Sequence, residues 1–549
     1  MKKKLSFLLV LLLALSTFLA ACGGDTDEDT QKDTGNDTDK ERPQVLNLRS
    51  GEEIPKMSPT KASDSVSFEV MNSVYEGLYR LGEGDEPVLG MAESEPEISE
   101  DGKTYTFTIR DAKWSDGSPV TAHDFEYAWK KVLDPETEGV QYAYIMYDIK
   151  GAYEAHEKGG SLDDVGVKAT DEKTLVVELN SVAPYFKGLL SFATFYPQKQ
   201  EYVEAQGEEY ALEADKSLYN GPFVLSEWKH EQSYQLKKNP DYWDADTVKL
   251  EEINYNIVKD TSTVVSLYET NRVDIAGLNS EYVDKWKDDP NFYTRETSTL
   301  FYLRFNHTND ILKNVNARKA ISMAIDKESV VDVLLNNGSV PADYFVPANF
   351  VTGPDGKDFR EVNGDMNVMN LEEAKKLWKT AKEEEGIDSF ELELLNYDGE
   401  NARKFGEYIK EQLEGNLEGL TVSISQQPFK QKLKREEELD YDFAYSGWGP
   451  DYPDPMTYMD MFITDGPNNQ TGWSNAEFDS LIEQSKGELT NDLPARWQAM
   501  ADAEKLLFDE AVISPMYQRG SSYLEREFVK GVIRHSFGAD VSFKWAYIE

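Results

Sequence analysis

Between Asn370 and Ala511 the chain switches repeatedly between two hydrophobic periods, and this alternation restricts its fold more than any other feature. Asn370 with Glu373 reads as a capping box, and Ala374, Leu377, Trp378 and Ala381 follow at the spacing of one helix face. Residues 390–395 and 420–424 read as strands on either side of a helix carrying Phe405, Ile409 and Leu413. A further helix follows Asp492, with Pro494 in its first turn and Trp497, Met500, Leu507 and Ala511 along one face. Strands alternating with helices predict an α/β lobe. With 549 residues the chain exceeds one compact core, so two or more domains are expected.

The N-terminus reads as an address. Lys2, Lys3 and Lys4 precede an apolar run, 5–18, too short for an ordinary membrane span, and Leu19-Ala20-Ala21-Cys22-Gly23 follows. That pentapeptide resembles the lipobox of bacterial lipoproteins, in which the leader is cut before a cysteine that then carries lipid. Cys22 is the sole cysteine, so intramolecular disulfides are excluded. Residues 1–22 are thus expected to be a lipoprotein signal peptide. Residues 23–42 hold no large apolar side chain and should form a disordered acidic tether. Asp25, Asp27 and Asp29 alternate as in a calcium loop, but the Gly and Glu that such a loop needs do not follow. The expected location is the extracytoplasmic face of a bacterial cell membrane, held there through lipid on Cys22.

Charge narrows the function classes. The chain carries a net −45, and removing the leader leaves 54 basic against 102 acidic residues, a net −48. Nucleic acid is disfavoured, because its phosphates demand Lys and Arg. No Gly-x-Ser-x-Gly, His-Glu-x-x-His or phosphate-cradling glycine loop occurs. The five histidines, at 123, 156, 230, 307 and 535, are too scattered for a local metal motif. No cofactor, metal or catalytic residue is therefore expected; a secreted lipoprotein hydrolase is the alternative from another class.

Tyr445-Ser446-Gly447-Trp448-Gly449-Pro450-Asp451-Tyr452-Pro453-Asp454-Pro455 follows an apolar-aromatic run, 441–445, that reads as a strand's end. Two glycines around a tryptophan allow close backbone approach beside a flat side chain, and prolines stiffen the chain around a carboxylate. The segment could hold an extended ligand by its main chain and a cation by Asp451. It reads equally as a strand ending in a proline-rich loop with solvated acids.

Earlier in the chain, 45–48 reads as a first strand and 55–65 as an irregular passage. Val66, Val70, Val74 and Leu78 recur at helical spacing before Gly82. The alternating strand 105–110 is followed by Trp114-Ser115-Asp116-Gly117-Ser118-Pro119-Val120-Thr121-Ala122. Asp116-Gly117 is a turn pair, and Thr121 with Asp124 caps a helix bearing Phe125, Ala128 and Trp129. This strand–turn–helix run, with Tyr127, resembles the signature of extracellular peptide-binding proteins, the family 5 solute-binding components of ABC importers. Gly166–Asp171, Pro184-Tyr185-Phe186, Asn220-Gly221-Pro222-Phe223 and Asn239-Pro240-Asp241-Tyr242-Trp243 continue the match. So does 314–327, read as a helix with an Asn314 cap, Ile321, Ile325 and Leu334 inward and Gly338 as its stop.

The resemblance implies a two-lobed periplasmic-binding-protein-like fold (type II, or cluster C) with an extra third domain and a ligand cleft between the lobes. By analogy lobe I comprises 43–75, 196–297 and 517–549, the extra domain 76–195, and lobe II 298–516. The implied function is that of a monomeric receptor delivering oligopeptides to the transmembrane permease subunits of an ABC importer. Within the family, dipeptides, signalling peptides and oligosaccharides are alternative cargoes; nickel is disfavoured by the lack of a His or Cys cluster. Gly447-Trp448-Gly449-Pro450-Asp451 falls on the family's Gly-Trp-x-x-Asp segment. That assigns Asp451 to the peptide's ammonium and the backbone of 447–449 to its main chain. The opposite edge is expected near Ser63-Asp64-Ser65, with Tyr445, Tyr144 and Phe429 near side-chain pockets. Enteric members carry an Arg where this chain has Tyr445, and a His in the loop occupied here by 398–403. Arg403 and Arg435 are the candidates left for the peptide's carboxylate.

Overall fold

In the computed structural model residues 42–549 are described; the expected leader, Cys22 and the expected tether through residue 41 lie outside the described residues. The first strand, Val45–Ser50, runs parallel to Glu252–Ile257, which continues antiparallel through Ser233–Lys238 to Phe223–Lys229. Its alternation buries Leu46 and Leu48 and turns Arg49 to the opposite face.

A seven-stranded sheet dominates the later half, in the order Ile275–Leu278, Ile513–Glu525, Phe292–Phe305, Phe443–Trp448, Phe390–Tyr397, Leu420–Gln427, with Val340–Pro341 beside Ile513–Glu525. The long strands Phe292–Phe305 and Ile513–Glu525 pair antiparallel, with register shifts between Glu296 and Leu300 and between Phe301 and Tyr302. Alternate residues of Phe292–Phe305 serve two separate cores: Tyr302 joins one, Leu303 and Phe305 the other. Both faces are therefore covered, as an α/β layer requires. Helix Leu371–Glu385 starts where expected: Asn370 accepts from the Glu373 N–H (3.2 Å), and Ala374, Trp378 and Ala381 are buried. Helix Glu400–Asn416 buries Phe405, Ile409 and Leu413 and connects the parallel pair Phe390–Tyr397 and Leu420–Gln427.

The strand–turn–helix signature folds in the order read, though its strand is Thr104–Thr108 and Ile109 makes only an isolated bridge to Ala92. Thr104–Thr108 lies between Glu97–Ile98 and Thr174–Glu178, with Val167–Ala169 at the far edge. Gly117 adopts the positive φ (83°) of its turn. Thr121 and Asp124 form a reciprocal capping box on helix Ala122–Leu133, and the buried Trp114 donates through Nε1 to Asp124 (3.2 Å).

Three helices end elsewhere than their periodicity suggests. The helix expected to run from Val66 to Leu78 is Ser65–Val74. Leu78 lies beyond it because Glu76 turns away to accept a bidentate bond from Arg80 while its N–H donates to Asn220 (3.0 Å). The helix after Asn314 stops at Met323, because Asp326 accepts from the Ser329 N–H and starts a new turn. The next coil, Val330–Leu335, ends at Asn336 (φ 42°), two residues before Gly338. Helix Leu493–Asp509 excludes Ala511, which sits at φ 46° past the C-terminus.

Candidate functional site

A cavity of about 540 Å³ opens against the end of strand Phe443–Trp448. That strand runs further than expected: Gly447 and Trp448 are still paired, with Phe301 and Leu300. On its other edge, pairing with Phe390–Tyr397 is confined to Phe443 and Ala444. From Tyr445 to Trp448 this edge has no strand partner among the described residues, and it faces the cavity. Unsatisfied main-chain groups on a sheet edge accept an added strand. Gly447 is required sterically, since a Cβ there would lie 2.8 Å from the Phe301 ring.

Asp451 follows at the end of that edge and is 5 % exposed. Its carboxyl accepts long bonds from the hydroxyls of Tyr142 (3.5 Å) and Tyr144 (3.4 Å), and its N–H donates to Thr457 Oγ1 (3.0 Å). Among the described residues no Lys, Arg or His lies within ion-pairing distance of it. Burial, reinforced by the charge of Asp460, raises its pKa well above the ordinary carboxylate value; the tyrosine bonds oppose the shift. Asp460 itself is spoken for by Lys486 (3.0 Å). The Trp448 indole donates to Thr457 O (2.9 Å) and lies nearly parallel to the Tyr142 ring (centroids 6.4 Å, 8°). A buried carboxyl, two phenols and an indole face together suit a cation, by charge and by ring quadrupole.

The other expected residues divide. Gly449, Ser63, Ser65 and half-buried Phe429 line the same cavity as Gly447, Trp448 and Asp451. Asp64 lines it too, but both its oxygens serve Ser67, capping helix Ser65–Val74 (N–H 2.8 Å, Oγ 2.7 Å). Burial pushes the Asp64 carboxyl up to about 6. Tyr445 reaches the cavity while packed on Phe405 (4.1 Å) and hydrogen-bonded to the Tyr517 hydroxyl. Tyr144 stands behind the wall, beside Asp451. Arg403 and Arg435 are not brought to the cavity: Arg403 is exposed on its helix, and Arg435 is held by Glu393 (2.7 Å) and Asp440 (2.9 Å). Sequence reasoning missed Tyr142, whose place depends on the short helical turn Ala143–Met146. It also missed the cavity's own cations Arg49, Lys259, Arg304 and Arg519.

Residues 86–470 match the family model of bacterial extracellular solute-binding proteins, family 5. The chain belongs to this family. A dipeptide-binding protein, DppE, of Bacillus subtilis (strain 168) is 37% identical over 538 residues, 97% of either chain. Among solved structures, an oligopeptide ABC transporter substrate-binding domain of Bacillus anthracis superposes with a TM-score of 0.90 at 44% identity. It covers 92% of this chain and 99% of that one. OppA of Listeria monocytogenes, bound to peptide, gives 0.89 at 39% identity with the same coverage. The fold is thus the two-lobed α/β fold of family 5 solute-binding proteins, and these relatives are binding proteins. Among the described residues no helix is long and apolar enough to cross a membrane.

Proposed function

We propose that this chain is the receptor of a peptide importer, capturing oligopeptides in the 540 Å³ cavity and handing them to a permease. The observation that carries this reading is the buried, cation-less Asp451 at the end of an unpaired strand edge. A peptide added along 445–448 would gain main-chain hydrogen bonds independent of its sequence, and its ammonium would meet Asp451 inside the aromatic wall. The likeness to a peptide-bound OppA supports the same ligand class. Binding requires no chemistry on the ligand, so the role is non-enzymatic.

The lobes are assigned as 43–75, 196–297 and 517–549 against 298–516, with 76–195 as the added domain. Both long strands of the central sheet pass through these limits, and the bulge between Glu296 and Leu300 marks where the pair can bend. A ligand touching both lobes favours closure, the state a permease would read. Lipid on Cys22 would hold the receptor at the outer face of the cell membrane. Mass spectrometry of material released by denaturing the purified protein is expected to find peptides with free amino ends. Finding sugars or no peptide would overturn the assignment. Radioactive fatty acid should label the wild type in cells and not Cys22→Ala; an unlabelled wild type would remove the anchor.

A further inference from the structure

Four cations line the cavity, and three have partners. Lys259 is held by Asp398 (2.9 Å) and Glu52 (3.4 Å), Arg304 by Glu436 (3.1 Å), and Arg519 loosely by Asp540 (3.7 Å). Arg49 has no side-chain hydrogen bond and no ion pair among the described residues. Its strand turns it away from the core and into the cleft. Two glycines give it room: a Cβ at Gly51 would lie 2.7 Å from one terminal nitrogen, and one at Gly277 3.1 Å from the other. Burial pulls the guanidinium below its ordinary pKa, and the like charge of Arg519 adds to this. Two acids, Glu52 and Glu69, come near without pairing, and Asp540 stands by its neighbour Arg519. Glu52 belongs to Lys259; Glu69 accepts from the Tyr255 hydroxyl (3.0 Å), and burial and Asp540 push it up to about 7.

An unpaired, partly buried guanidinium beside a second arginine lacks an anion of forked geometry, and a carboxylate has that geometry. Resting on the peptide-receptor reading, we propose that Arg49, with Arg519 beside it, takes a carboxylate of the bound peptide. This is the role Arg403 and Arg435 are not placed to fill. The shared chemistry is the carboxylate, whether terminal or on an Asp or Glu side chain.

The test uses alanine oligopeptides of graded length as free acids or C-terminal amides, each with or without one internal Glu, retained on immobilised protein and read by mass spectrometry. Wild type should retain carboxylate-bearing forms at least about tenfold over forms with none, about one decade of affinity. Preference for the free acids names the terminus as the source; preference for Glu-bearing amides names the side chain. Arg49→Met should erase the preference and still favour free over N-acetylated amino ends. It should also unfold no earlier than wild type without peptide, because it removes an unpaired charge. A wild type indifferent to carboxylates, a preference surviving Arg49→Met, or an early-melting variant would each overturn the assignment of Arg49. A wild type that retains no peptide would instead overturn the receptor reading beneath it.

Discussion

Asp451→Ala is expected to bind a peptide with a free amino end on the order of a hundredfold or more weaker than wild type, a loss of about 3–5 kcal/mol. The size follows from burial. In the proposed complex the peptide ammonium is desolvated against Tyr142, Tyr144 and Trp448, and Asp451 is the carboxylate to which both tyrosine hydroxyls donate. Removing it leaves a buried charge unpaired, which costs far more than losing an exposed ion pair. Calorimetry with a free and an N-acetylated peptide isolates the effect. Wild type should prefer the free form strongly and Asp451→Ala should not. Equal binding of both forms by wild type would show that Asp451 is not the anchor.

The same carboxyl should give peptide binding a pH dependence whose sign follows from burial. Without ligand its pKa is raised by burial and by Asp460. An ammonium beside it favours the charged form, so the bound pKa is lower and binding releases a proton between the two values. Affinity should therefore rise with pH through that window, then fall as the peptide's amino group loses its own proton near about 8. Calorimetry in buffers of different ionisation enthalpy reads the released proton directly. Asp451→Asn should abolish both the release and the acid limb; a profile unchanged by that substitution would point to another group.

Sequence carried different parts of this molecule unequally. Elements with a strong period were legible, because burial of one face dictates residue type: Phe405, Ile409 and Leu413 are buried as their spacing requires. Element ends were less so, since they depend on remote partners. Asn220 and Arg80 engage Glu76 after the Ser65–Val74 helix, and pairing to Leu300 and Phe301 carries the 443 strand past its glycines. Among site residues, Asp451 stood out through a motif between prolines. Arg49 carries no local signal. Its distinction is the want of a partner, a property of everything around it and of no spacing along the chain. Arg435 illustrates the converse, an arginine of suitable type already committed to Glu393 and Asp440.

Arg496→Met should destabilise the fold by about 3–5 kcal/mol and weaken peptide binding as well. Three residues after Asp451, Asp454 receives both terminal nitrogens of Arg496 (2.7 and 2.9 Å), and the Arg496 Nε–H donates to Ser485 O (2.9 Å). The pair is buried, and Asp454 also takes the Met456 N–H (3.0 Å), so it pins the loop Pro450–Pro455 onto helix Leu493–Asp509. Met keeps much of the packing volume but strands a buried carboxylate, and that penalty sets the expected magnitude. Because the pinned loop carries Asp451, the carboxyl that should meet the ammonium loses its fixed position, and affinity falls without any contact between Arg496 and the ligand. Denaturant unfolding of wild type, Arg496→Met, Asp454→Asn and the double variant provides the measurement. The double variant should be markedly less unstable than the two single losses added together, since removing one partner already forfeits the pair. Strictly additive losses would mean that the two side chains support the loop separately, and Asp451 would then owe its position to the prolines around it and to Thr457.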